Sequence, residues 1–171
     1  MAANDARLRV VVTIALLATF ALAAGCWRHP FDAKIAARSD LDFSMWLSHQ
    51  AGTLTAADQR DLTDALQIIK FGVMTDSPGL AAAEFRGRVY AEIYGRSVRE
   101  VLLRSIEYQG GSIAAEIKNL EDREESYRHI DATALSPVHR EFLEGFNARM
   151  AQRRADLQRL EERKSLVLAH P

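Results

Sequence analysis

The chain has 171 residues, 48% of them hydrophobic and 26% charged, a length that supports one modest core and excludes a large multidomain enzyme. Its formal net charge of -1, with arginines interleaved among acids, excludes an electrostatic surface for nucleic acid and suits solvated helix faces with i,i+4 pairs. The single cysteine excludes an intramolecular disulfide and a cysteine-based zinc site.

The start, MAANDARLR, carries Arg7 and Arg9 and leads into an apolar stretch, VVVTIALLATFALAA, over residues 10–24. That order is an n-region followed by an h-region. At 15 residues the stretch fits a signal sequence and falls short of the roughly 20 that cross a hydrocarbon core. Cleavage is therefore expected, and an uncleaved signal anchor is the alternative.

The stretch ends in Leu22-Ala23-Ala24-Gly25-Cys26, small residues running directly into a cysteine. This resembles the lipobox of bacterial lipoprotein precursors, although the leucine usual three places before the cysteine is Ala23, with Leu22 one place further out. The resemblance covers about 26 residues, and the body beyond resembles no named family. It implies that Cys26 carries a diacylglyceryl thioether, that residues 1–25 are removed, and that the new amino group is often acylated. One acyl chain binds a membrane marginally, at about 0.8 kcal/mol per buried methylene, whereas two or three make release negligible. In the enterobacterial pattern an aspartate after the cysteine holds the protein at the inner membrane; Trp27 stands there instead, which leans toward the outer one. Either way the body is expected outside the cytoplasm, facing the periplasm. Removing the first 25 residues leaves 20 basic and 22 acidic ones.

Residues 26–39, with one proline and weak periodicity, read as a lipidated tether before a helical domain over 40–171. Ser39 with Asp42 opens a short helix containing Phe43, Trp46 and Leu47, closed by Gly52. Thr55 with Asp58 opens a longer one, on which Leu62, Leu66, Ile69 and Val73 form a stripe at spacings of four, three and four. Ser77-Pro78 predicts a helix from 78 to about 94 with Phe85, Val89 and Ile93 on its apolar side, ended by Gly95. The capping box Ser97/Glu100 starts a long helix toward His129, with Leu102, Ile106, Ile113, Ile117, Leu120 and Tyr127 inward. Gly110-Gly111 in its middle costs about 1 kcal/mol each against alanine, which predicts either a kink with close packing or a break. A short loop at 131–135 leads to Ser136-Pro137 and a last helix reaching toward Leu168. Leu143, Phe146, Met150, Leu157 and Leu160 give that helix a coiled-coil-like seam, interrupted by Arg153. Segments 112–130 and 137 onward should then pack as an antiparallel hairpin. No run alternates like a strand and no internal repeat is evident.

Candidate chemistry is sparse. Of His29, His49, His129, His139 and His170, only His129 and His139 lie close together, flanking the hairpin turn near Glu124, Glu125 and Glu141, and no Glu-x-x-His or HExxH pattern supports a metal site there. Neither G-x-S-x-G nor a phosphate-binding glycine loop occurs. Neighbouring acids such as Glu124-Glu125 and Glu161-Glu162 point to different helix faces and form no dyad. Phe43, Trp46, Phe71, Phe85, Tyr90, Tyr94 and Phe146 are expected mostly in the core. Arg149, Arg153, Arg154, Arg159 and Arg163 alternate with Asp156, Glu161 and Glu162 as a solvated face does.

The expectation is an all-α domain of about five helices, ending in a long antiparallel hairpin, on a membrane through lipid on Cys26. No catalytic, metal or cofactor residue is assigned. The expected role is a non-catalytic structural or interaction protein that meets a protein partner, or another copy of itself, through the C-terminal hairpin. The alternative is a helical module binding a small apolar ligand or lipid between the helices around residues 43–94.

Overall fold

In the computed structural model, which describes residues 29–50, 52–127 and 137–169, five α-helices follow a 3-10 turn at Pro30–Asp32, with no strand among the described residues. They are α1 Asp40–His49, α2 Ala56–Asp76, α3 Ala82–Ile93, α4 Val98–Tyr127 and α5 Pro137–Ala169. The fold is all-α, as the periodicity predicts. The signal segment with Cys26 and Trp27, His129, loop 131–135, Ser136 and His170 lie outside the described residues, as do the side chains of Tyr127 and His139. The chain from Phe31 to Pro171 forms one unit.

The polar residues that signal helix starts do so by satisfying first-turn amides. Ser39 Oγ accepts from the Asp42 amide at 3.1 Å. Thr55 and Asp58 form a reciprocal capping box, each side chain accepting from the other's backbone N–H at 3.2 and 3.0 Å. Ser97 and Glu100 repeat it: Ser97 Oγ accepts from the Glu100 amide at 3.2 Å, and Glu100 Oε2 accepts from the Ser97 amide at 2.5 Å. These bonds, with the Ser97 hydroxyl and Lys34 behind them, hold the Glu100 carboxyl down at about 2 from its ordinary 4.5. A carboxyl depressed in the folded state supports that state above its unfolded value and stops doing so as pH falls through the folded one. Glu100→Gln is therefore expected to lower the unfolding midpoint at neutral pH, with the difference from the parent shrinking between about 4.5 and about 2. Thermal unfolding across that range checks it.

The predicted stripe of α2 is buried in full, with Ala65 added, and it packs against α4. In α4 the inward row is wider than the 3-4 pattern indicates. Val98, Val101 and Ser105 are buried beside Leu102 and Ile106, because α2 and α5 both pack on this helix. Ser105 is satisfied by donating to the Leu102 carbonyl at 2.8 Å. The Gly110-Gly111 pair neither ends nor interrupts α4, and Leu157 of α5 lies over Gly110 at ordinary van der Waals distance.

Two expectations are corrected. The helix predicted from Pro78 begins at Ala82, with no side-chain cap at Ala81. The chain must turn back there, since Ser77 accepts from Arg88 while Asp40 accepts from both Lys70 and Tyr90. Ser77 caps the end of α2, its amide reaching the Val73 carbonyl at 3.1 Å, and Gly79 takes φ +86 to reverse the chain.

The second correction concerns the tether. Residues 31–37 are packed into the main core, with Ile35 and Ala37 fully buried and Phe31 nearly so. Phe31, Ala33, Ile35 and Ala37 face inward while Asp32, Lys34, Ala36 and Arg38 face out, a two-residue alternation. The backbone of this strap is tied to the α3–α4 junction: Ile35 N–H donates to the Arg96 carbonyl at 2.8 Å, Gly95 N–H to the Ile35 carbonyl at 2.8 Å, and Val98 N–H to the Ala33 carbonyl at 3.1 Å. Gly95, at φ +74, makes the turn that presents these groups.

Candidate interaction surfaces

The first surface is the arm formed by the distal halves of α4 and α5. It has its own small cluster, Leu120 with Phe146 and Met150, separate from the main core. Phe142 tilts against Phe146 with ring centroids 6.3 Å apart. Arginines of α5 bridge to acids of α4: Glu116 receives Arg149 and Arg153, both at 2.8 Å, and Glu121 receives Arg154 at 2.9 Å. Arg153, the polar residue in the seam, thus lies across to Glu116 and also meets Asp156 at 3.1 Å. Its Nε–H is not aligned for a hydrogen bond with Glu116, so the contact is an ion pair. The Arg149 hydrogen bond, with Arg153 nearby, lowers the Glu116 pKa. Surface pairs of this kind fix register more than they stabilise. Among the described residues the seam around Leu120 and Met150 is closed within the hairpin, Phe142 stands 47% exposed beside it, and outward positions such as Lys118, Asp122, Gln152 and Arg159 are polar.

The second surface is an open groove of about 660 Å³ between α2 and α4, lined by Ile68, Phe71, Thr75, Arg104 and Tyr108 among others. Its floor depends on Gly72, against whose Cα the Tyr108 ring rests; a Cβ there would overlap the ring. Arg104 lies 4.4 Å above the same ring and is held by Glu92 and Glu107, each at 3.0 Å. Glu107 and Glu92 raise the Arg104 pKa, while burial and then Glu92 raise that of Tyr108. Phe71 stands on the rim, 64% exposed.

The third surface is the base of the domain, where the strap, the α3–α4 junction and the end of α5 meet. Arg99 links them, lying 3.6 Å from Asp32 and donating to the carbonyls of Val167 at 3.1 Å and Leu168 at 3.4 Å. It thereby satisfies terminal carbonyls of α5 with a cation. Val167 is buried, and Leu166 and Leu168 on either side of it are 68% and 56% exposed. Beside the strap, the Arg38 guanidinium lies 4.5 Å over the exposed Tyr94 ring.

The aromatic residues singled out from sequence are not gathered into one pocket. Phe43 is buried and stacks on Trp46 at 6.3 Å; Tyr90 is buried and donates to Asp40 at 2.7 Å; Phe85 is half-buried against the core. Only Phe71 faces the groove, which sequence reasoning missed because Gly72 and Tyr108 meet across two helices. Cys26, His129 and the side chain of His139 fall outside the described residues, and no cluster of metal-ligating side chains occurs among the described ones. No helix among the described residues is long and apolar enough to cross a membrane. Comparison with models of known families, with curated proteins and with solved structures finds no match for this chain.

Proposed function

We propose that this chain is a bacterial envelope lipoprotein, cleaved before Cys26 and held to a membrane by lipid there, which works without catalysis by presenting its α4/α5 arm to a protein partner. The arm carries the proposal. Among the described residues its two helices keep a small buried cluster, Leu120, Phe146 and Met150, and clothe it in charged side chains, so the hairpin adds reach and surface more than core. Because the seam around Leu120 and Met150 is filled from within the hairpin, a partner or second copy would read the charged outer faces beside the exposed Phe142, a mode suited to specificity and on-rate more than to raw affinity. The lipobox residues Leu22 to Cys26 support the anchor.

Photo-crosslinking in cells tests the arm. A crosslinker at Gln152 is expected to give an adduct of discrete mass, and the same group at the exposed Ser44 of α1 none. A strictly monomeric protein with no adduct from Gln152 would count against the proposal. Mass spectrometry of the N-terminal peptide from membrane-extracted protein tests the anchor: an acylated Cys26 supports it, and intact Met1 to Cys26 with a free thiol replaces it with a signal anchor.

A further inference from the structure

We infer that the base of the domain rests on the bilayer, with Leu166 and Leu168 seated in its interfacial layer; this rests on the lipoprotein reading and adds to it an orientation and a lipid-contact site. Positions 26 and 31 are five residues apart, and that much chain spans at most about 18 Å when fully extended. Phe31 is no longer tether, since it is buried in the core. A membrane that holds Cys26 therefore lies within that short reach of Phe31. The neighbours of Phe31 are fixed as well: Asp32 meets Arg99, and Arg99 holds the last carbonyls of α5.

The surface brought to the bilayer in this way is the one where α5 ends in two exposed leucines. Large apolar side chains that stand out beside a membrane lower their free energy by entering the headgroup and acyl boundary. Tyr94 under Arg38 adds an aromatic ring with a cation above it at the same base, a pairing suited to the membrane–water interface. Of the cations at the base, Lys34 pairs with Glu100, Arg96 with Glu92 and Arg99 with Asp32, while Arg38 is held on the Tyr94 ring and donates to its hydroxyl at 3.0 Å. The contact is therefore apolar in origin and is expected in neutral phosphatidylcholine as well as in anionic lipid.

Site-directed spin labelling of the full lipidated chain in phosphatidylcholine vesicles tests this, because an acylated Cys26 leaves an introduced thiol as the only one. Labels at Leu168→Cys on the base and Gln152→Cys on the arm are compared for collision with oxygen, which partitions into lipid, and with a water-soluble nickel chelate. The expected result is an oxygen-to-nickel ratio several-fold higher at 168 than at 152, unchanged when anionic lipid is added. Equal ratios at the two positions, with Cys26 shown by mass to be acylated, would overturn the seating and leave the lipoprotein reading intact. A high ratio that requires anionic lipid would transfer the contact to the cations and overturn the apolar seating. An unacylated Cys26 in membrane-extracted protein would overturn the lipoprotein reading itself, and this inference with it.

Discussion

Replacing Ile35 by alanine is expected to lower the stability of the domain by about 2–5 kcal/mol, as for a buried isoleucine whose site cannot collapse. Its side chain has no exposure, and its backbone is pinned on both sides, the N–H to Arg96 and the carbonyl to Gly95, so neither can shift to fill the cavity. The neighbouring Lys34→Ala removes only an exposed pair with Glu100 and is expected to cost at most about 1 kcal/mol. Urea unfolding of the two variants separates the cases, provided the slope with denaturant is unchanged. Were residues 31–37 a flexible tether, the two substitutions would be equally silent, and that outcome would sink the strap as part of the fold.

Gly72→Ala is expected to change sign with its surroundings. In an ordinary helix interior the change gains about 1 kcal/mol. In α2 the added Cβ would overlap ring carbons of Tyr108, and displacing that ring also disturbs the Arg104 guanidinium above it. A net loss of about 1–3 kcal/mol is expected, the usual range for overpacking. In a Tyr108→Ala background the obstacle is gone and the same substitution should become stabilising by about 1 kcal/mol. A double-mutant cycle in urea reads the coupling directly. Equal gains in both backgrounds would show that the ring does not rest on Gly72.

The helices were legible where the signal was local. Thr55/Asp58 and Ser97/Glu100 mark helix starts because a capping box is a contact within four residues, and the stripe of α2 is legible because its main partner, α4, covers one face. Ser77-Pro78 misled for a matching reason. Proline suits a first helical turn but also a reversal, and Gly79 at positive φ decides for the reversal. The strap carries an alternation that was present in the sequence, Phe31, Ala33, Ile35, Ala37, but two of its four inward residues are alanines and its partners are backbone groups of the distant α3–α4 junction. Arg153 looked like an interruption of the seam because its partner Glu116 belongs to another helix. Of the proposed functional features, the resemblance to a lipobox rests on five consecutive residues, whereas the groove and the base exist only through side chains brought together from far along the chain.

The Arg99 clasp orders events in time. Its reach to Val167 spans 68 residues, and the strap's Lys34 to Glu100 contact spans 66. Closing loops of that size costs more entropy than joining neighbours, so local pairings form before distant ones reward it. The strap has nothing to bind until the α3–α4 junction exists, and the clasp nothing to hold until α5 has docked. Both ends of the domain therefore close in the late stages of folding, the strap through its backbone bonds to the α3–α4 junction and the end of α5 through Arg99.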